Sequence, residues 1–213
     1  MWGDAYITNQ NVQGIKESIM AMRNPLDSWY KSDSYYPRFT LERLSLPEVT
    51  ELLILGDRDG ELSQKLSKAG TEHRKHLRFI RVWADFCFPR YMWSEIDTYK
   101  HIDKLSCSTM HTIAKNDLAI FDFVNNSIST EELNVLNSLI STYQKNKDMN
   151  AFLELKARLP EGFLQLRSIS TNYEALLAMY CQRKNHRLPE WKIICDWILE
   201  LPYFKQLTGV GIE

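Results

Sequence analysis

Glycine-rich phosphate loops are missing from this sequence. Its 8 glycines among 213 residues form neither a GxGxxG fingerprint nor a P-loop, which removes the common dinucleotide and triphosphate folds. Paired cysteines are missing too: Cys87, Cys107, Cys181 and Cys195 stand apart, with no metal-ligand spacing. Neither a zinc site nor a disulfide framework is expected, and reduced thiols suit a cytoplasmic chain. There is no charge excess, since 26 Lys and Arg against 27 Asp and Glu leave a net charge of -1. A nucleic-acid backbone binder would carry a basic surplus. No apolar run approaches membrane length and the first residues are polar, so no membrane contact and no signal segment are expected. Internal repeats and low-complexity tracts are also absent. What remains, 44% hydrophobic and 25% charged, is the composition of a soluble globular chain, read as a single domain over residues 1–213.

Periodicity places the elements. Val12, Ile15, Ile19 and Met22 share a helical face that Asn24-Pro25 stops. Residues 25–46 are aromatic and polar without period, a loop that either wraps the core or closes over a planar ligand. Helices are expected at 47–55 and 60–69, separated by an Asp57-Arg58-Asp59-Gly60 turn. The run 77–86 is β-branched and aromatic and reads as a buried strand. Ser106 to His111 precedes a short helix, which its hydroxyls cap; a Ser/His nucleophile pair is the alternative, and no third group is identifiable. Ser129 and Glu132 form a capping box for a helix with Leu133, Leu136, Ile140 and Tyr143 on one face. A further helix over 148–158 leads to Leu159, and Pro189 starts the last one, which Pro202 ends.

The stretch from Leu159 to Trp191 organises the chain. Pro160 and Gly162 break the preceding helix, Phe163 to Ile169 reads as a strand, and Thr171 with Glu174 suggests a capping box with Asn172 in the first helical turn. Arg183 lies about three turns, roughly 16 Å, further along, on the face of Leu176 and Met179. The other faces are apolar, so this helix is expected to be buried, with an amide and a guanidinium that need polar partners.

Leu159-Pro160, Asn172, Arg183, His186 and Trp191 together resemble the C-terminal half of the flavin-dependent thymidylate synthases, also called thymidylate synthase complementing proteins. Glu72-His73 resembles the family's Glu-His pair, whose His contacts the flavin, with His76 as a rival for that role. Glu95 and Tyr99 resemble a second family segment, in which Lys100 stands beside an Arg position. Of the family's Arg-His-Arg triplet only Arg90 is present. The resemblance implies an α+β fold, mostly helical, with a small central antiparallel or mixed sheet built from the runs near 77–86, 95–101 and 163–170. It implies Arg183, Arg90, Glu95, Lys100 and Lys156 around a pyrimidine nucleotide, and His73, Arg90, Asn172 and His186 around FAD. NADPH and methylenetetrahydrofolate would be co-substrates, and the assembly a homotetramer. No protein nucleophile is implied, because the cofactors carry the chemistry. A nucleotide-binding relative that kept the fold and lost the reaction is the alternative.

Overall fold

The computed structural model describes residues 4–37 and 53–211. The end of the aromatic loop and most of the helix expected at 47–55 lie outside the described residues. The chain is mostly helical with one four-stranded antiparallel sheet, as the sequence and the resemblance led us to expect. The strands are β1 (Tyr6–Gln13), β2 (Arg81–Pro89), β3 (Asp103–Ser106) and β4 (Leu164–Asn172), paired in the order β1-β2-β4-β3. Two compact units emerge. One takes the chain up to Asn9 together with Ala84–Ile169, and the other the described residues of Gln10–Trp83 and Ser170–Glu213.

In the first unit, α3 (Arg90–Ile96) stands where the sequence suggested the start of a strand at 95–101. Met92, Trp93 and Ile96 are buried at helical spacing, and the strand that does form, β3, comes later. The Trp93 ring is a helical knob, its Nε1 donating to the Gln165 carbonyl at 2.9 Å and its face covered by Arg167 at 4.4 Å. The short α4 (Thr109–Thr112) has no side-chain cap, so the expected hydroxyl capping does not form. Helices α5 (Thr130–Asn146) and α6 (Met149–Arg158) make a hairpin around Leu136, Ile140, Phe152 and Leu155. Each such side chain contributes about 1.5–3 kcal/mol on burial. The Ser129/Glu132 capping box starts α5 as expected, with both reciprocal bonds present at 3.1 and 3.2 Å.

In the second unit, α1 (Ile15–Arg23) buries Ile15, Ile19 and Met22, while Val12 belongs to β1 instead. Gly14, in the left-handed region at φ 91°, lies so close to Phe79 that a Cβ would stand 2.1 Å from its carbonyl oxygen. Asp57 to Gly60 is not a turn but the first turn of α2 (Asp57–Ala69). Asp59 is fully buried there, accepting from Ser32 Oγ, from the Asp33 and Ser34 amides, and from Arg23 Nε at 2.7 Å. Asp33 answers by capping α2, accepting from the Arg58 and Asp59 amides. Residues 32–34 of the aromatic loop are thereby tied down, while the Trp29 and Tyr30 rings remain exposed. A 3-10 helix, Arg74–Phe79, precedes β2. Then come α7 (Tyr173–Arg183), α8 (Pro189–Glu200) and the short α9 (Phe204–Thr208). Tyr173 anchors α7: its hydroxyl donates to the Pro202 carbonyl at 2.6 Å and its ring meets Phe204 edge-on at 5.0 Å.

Candidate functional site

The residues singled out by sequence divide between the two units. Arg90, Glu95, Lys100 and Lys156 lie in the first, and His73, Asn172, Arg183 and His186 in the second.

In the first unit, Arg90 opens α3 directly after Pro89. Its Nη1 donates to the Leu159 carbonyl at 2.9 Å, and its Nη2 stands 3.4 Å from Glu161 Oε1. The Leu-Pro turn is therefore held by Arg90. Lys156, on the last turn of α6, donates to Thr109 Oγ1. Burial and then the Arg90 charge hold its ammonium below the ordinary lysine range. Arg90 and Lys156 are thus brought together as two cations that repel each other. Glu95 is half-buried on α3, and Lys100 is exposed in the turn after it.

In the second unit, β4 runs through to Asn172, which is the N-cap of α7 and not part of its first turn. The Asn172 side-chain oxygen accepts from the Ala175 amide at 3.0 Å, so the cap comes from Asn172 rather than from Thr171. Glu174 has another task, bridging Arg74 Nε at 3.2 Å and Arg78 Nε at 3.4 Å. Only the first half of α7 is buried. Cys181 and Gln182 are exposed and Arg183 is half-buried, which corrects the expectation of a helix buried all round. The Arg183 guanidinium lies over the ring of the fully buried Trp191 at 4.7 Å. The His186 ring meets the same indole edge-on at 6.0 Å, and its Nδ1 accepts from the Leu188 amide at 3.2 Å. Arg183, His186 and Trp191 therefore form one cluster.

The two histidines differ in burial. His76 is 5% exposed, and its Nε2 lies 2.8 Å from Ser63 Oγ. Burial pushes its pKa down to about 4, against a smaller opposite pull from the His73 carbonyl. His73 is exposed, with Nε2 3.6 Å from Glu72 Oε1. Both histidines line a cleft of about 760 Å³ formed by the end of α1, α2 and the 3-10 helix, a volume that suits a nucleotide-sized ligand. Met22, Leu62, Leu66 and Phe79 supply apolar wall, and Arg23, Lys31 and Lys75 supply cations. Sequence reading missed this cleft. Lys75 beside His73 was the one local signal, since Arg23 and Asp59 are too far apart in the chain to be read as a pair. Among the described residues, no group of three His, Cys, Asp or Glu side chains is placed to hold a metal, and no helix is long and apolar enough to cross a membrane.

A mostly helical chain with one four-stranded antiparallel sheet, and with β4 running into the Asn172-to-Arg183 helix, is the fold of the flavin-dependent thymidylate synthases. The chain is similar to the solved structure of the flavin-dependent thymidylate synthase ThyX from Helicobacter pylori complexed with FAD and dUMP. The TM-score is 0.69 at 14% identity, covering 94% of this chain and 95% of that one. A second structure of ThyX from Helicobacter pylori, also with FAD and dUMP, gives a TM-score of 0.68 at 15% identity, covering 95% of each chain. No family model and no curated protein matches the sequence.

Proposed function

We propose that this protein is a flavin-dependent thymidylate synthase-like enzyme acting on a pyrimidine deoxynucleotide, by methylation of dUMP or a related one-carbon transfer. The observation that carries this reading is the fold likeness, over 94% of the chain, to a protein complexed with FAD and dUMP. The Arg183–Trp191–His186 cluster supports it, because the stack on Trp191 fixes the plane of a guanidinium fork that matches a uracil edge or a phosphate. Arg183 would meet the nucleotide, with Arg90, Glu95, Lys100 and Lys156. A phosphate beside Arg90 and Lys156 would relieve their mutual repulsion. His73, Arg90, Asn172 and His186 are assigned to FAD, and the fit is supported by the cleft at His73. When bound, the flavin supplies hydride transfer, with NADPH as reductant and methylenetetrahydrofolate as one-carbon donor. The chain's own residues bind, orient and exclude water. The working form in this reading is a cytoplasmic homotetramer.

The visible absorption spectrum of the purified protein, before and after incubation with FAD, tests the reading. A bound-flavin spectrum that shifts on adding dUMP is expected, from a tetramer by size-exclusion chromatography. A colourless monomer would overturn the enzyme. One observation favours a second reading, a nucleotide-binding relative without redox chemistry: Arg90, which alone stands for the triplet, is engaged with Leu159 and Glu161. That reading predicts dUMP binding with no retained flavin.

A further inference from the structure

Lys156 does not end in solvent: its ammonium donates to a hydroxyl from another helix, that of Thr109 at the head of α4. Both sides of this contact are mounted on fixed parts of the first unit. Before Thr109, the Cys107 amide donates to the Leu166 carbonyl of β4 at 2.9 Å, and Gln165 Nε2 donates to the Cys107 carbonyl at 3.0 Å. After it, Thr112 Oγ1 donates to the Ser108 carbonyl at 2.8 Å, and Ile113 is buried in one cluster with Phe152 and Leu155 of α6. With four residues, α4 is too short to hold its shape alone. These anchors therefore set where the Thr109 hydroxyl stands.

The lysine needs such a hold. Its long stem is flexible, and Arg90, at the start of α3, repels its charge. The other charged groups nearby are engaged elsewhere: Glu161 lies 3.4 Å from Arg90, and Glu154 and Arg158 of α6 pair with each other at 2.8 Å. The acceptor that Lys156 does have is a neutral hydroxyl, so its charge is held without being cancelled. We propose that Thr109 is a positioning residue for the nucleotide, its hydroxyl fixing the Lys156 ammonium beside Arg90 so that both cations meet the phosphate. The inference rests on the nucleotide reading of Arg90 and Lys156, and adds a residue that acts through Lys156.

The test compares the full chain with Thr109→Val, which keeps the side-chain shape and loses the acceptor, and Thr109→Ser, which keeps the hydroxyl. Binding of dUMP is followed by calorimetry from about pH 7 to 10, with Thr109→Val repeated in a Lys156→Ala background. Thr109→Val should weaken dUMP about tenfold, and Thr109→Ser should retain the affinity. Once Lys156 is replaced, Thr109→Val should add nothing. A hydroxyl acceptor favours the ammonium over the neutral amine, and its loss lowers the Lys156 pKa further. The alkaline fall in dUMP affinity should therefore begin at a lower pH in Thr109→Val. A purely structural hydroxyl would lower the melting temperature and leave dUMP affinity as it was. That result, or equal losses with and without the Lys156 ammonium, overturns the role of Thr109 while the nucleotide reading stands. If the unmodified protein binds no dUMP, the nucleotide reading itself falls and this inference with it.

Discussion

At the start of α7 the polar groups are buried and matched by the chain, whereas at its end they are only part-buried and rest against an aromatic platform. Asn172 is buried with its oxygen on the Ala175 amide, and Glu174 is buried between Arg74 and Arg78. Arg183 and His186, one helix length away, rest against the buried Trp191 and remain half-exposed. The same helix thus carries two chemistries. Where burial is complete, each polar group is matched by the chain itself, because a missing partner is costly. Where burial is partial, the groups rest against the Trp191 ring and keep exposed surface.

The sharpest way to break this contrast is at the buried end. Glu174→Ala leaves two guanidiniums without their carboxylate, one of them largely covered, and should cost about 2–4 kcal/mol in chemical denaturation, below a fully buried pair because Arg78 is half-exposed. A loss no larger than that of an ordinary surface change would erase the difference between the two ends of the helix.

Acid should act next, through His76. Its folded pKa of about 4 lies below the ordinary 6.5, so between those values the unfolded chain binds the extra proton. Stability from this group is complete above pH 6.5 and declines as pH falls toward 4, by about 2–3 kcal/mol. His76→Phe should flatten the curve in that window. Asp59 acts lower. Burial alone would raise its carboxyl, but the bonds from Ser32, Ser34 and Arg23 outweigh it and hold the pKa below 3.8, so its contribution is lost only below that pH.

At the half-exposed end, Arg183→Ala should cost the free protein less than Glu174→Ala does, because the Arg183 guanidinium keeps exposed surface while Glu174 is buried. The same change should weaken dUMP at least tenfold, and Arg183→Lys should not restore it, because an ammonium lacks the planar fork. Calorimetric titration beside thermal melts separates the two effects. A loss of several kcal/mol with unchanged dUMP affinity would make Arg183 structural.

The smallest effect sharpens the role of Asn172. Asn172→Asp keeps a capping oxygen and should leave stability within about 0.5 kcal/mol, whereas Asn172→Ala should cost about 1. If the flavin contacts the Asn172 amide, the Asp variant should lose FAD affinity while melting normally.

What could be read from the sequence follows the range of the interactions. The strand read at Phe163–Ile169 forms, although it runs on to Asn172, and the Ser129/Glu132 box and the helix over 148–158 are local and were legible. β1 was not, because Thr8, Asn9, Gln10, Asn11 and Gln13 are exposed and give no alternation, and Asn9 turns left-handed at φ 52°. The strand expected at 95–101 was misplaced: Glu95 and Ile96 end α3, and the strand forms only at Asp103–Ser106, because only neighbours in space show that the face of Met92, Trp93 and Ile96 is buried. Asp59 was illegible for another reason. Its partners, Arg23, Ser32 and Ser34, come from a segment 25 to 36 residues away, and no sequence period links them. The difference in burial between His73 and His76 is likewise set by distant segments, which a Glu-His pair cannot reveal.

Gly14 gives the cleft a gauge. The backbone at the head of α1 rests against the Phe79 carbonyl with no room for even one methyl group, and the far end of the same rigid rod, from Ala21 onward, forms a wall of the cleft. A helix pivots more readily than it bends, so a methyl wedged in at residue 14 would be transmitted along α1 as a tilt. The aperture between Met22 and Phe79 is then set by an atom that is not there, and position 14 becomes a place to resize the cleft without touching any residue that lines it.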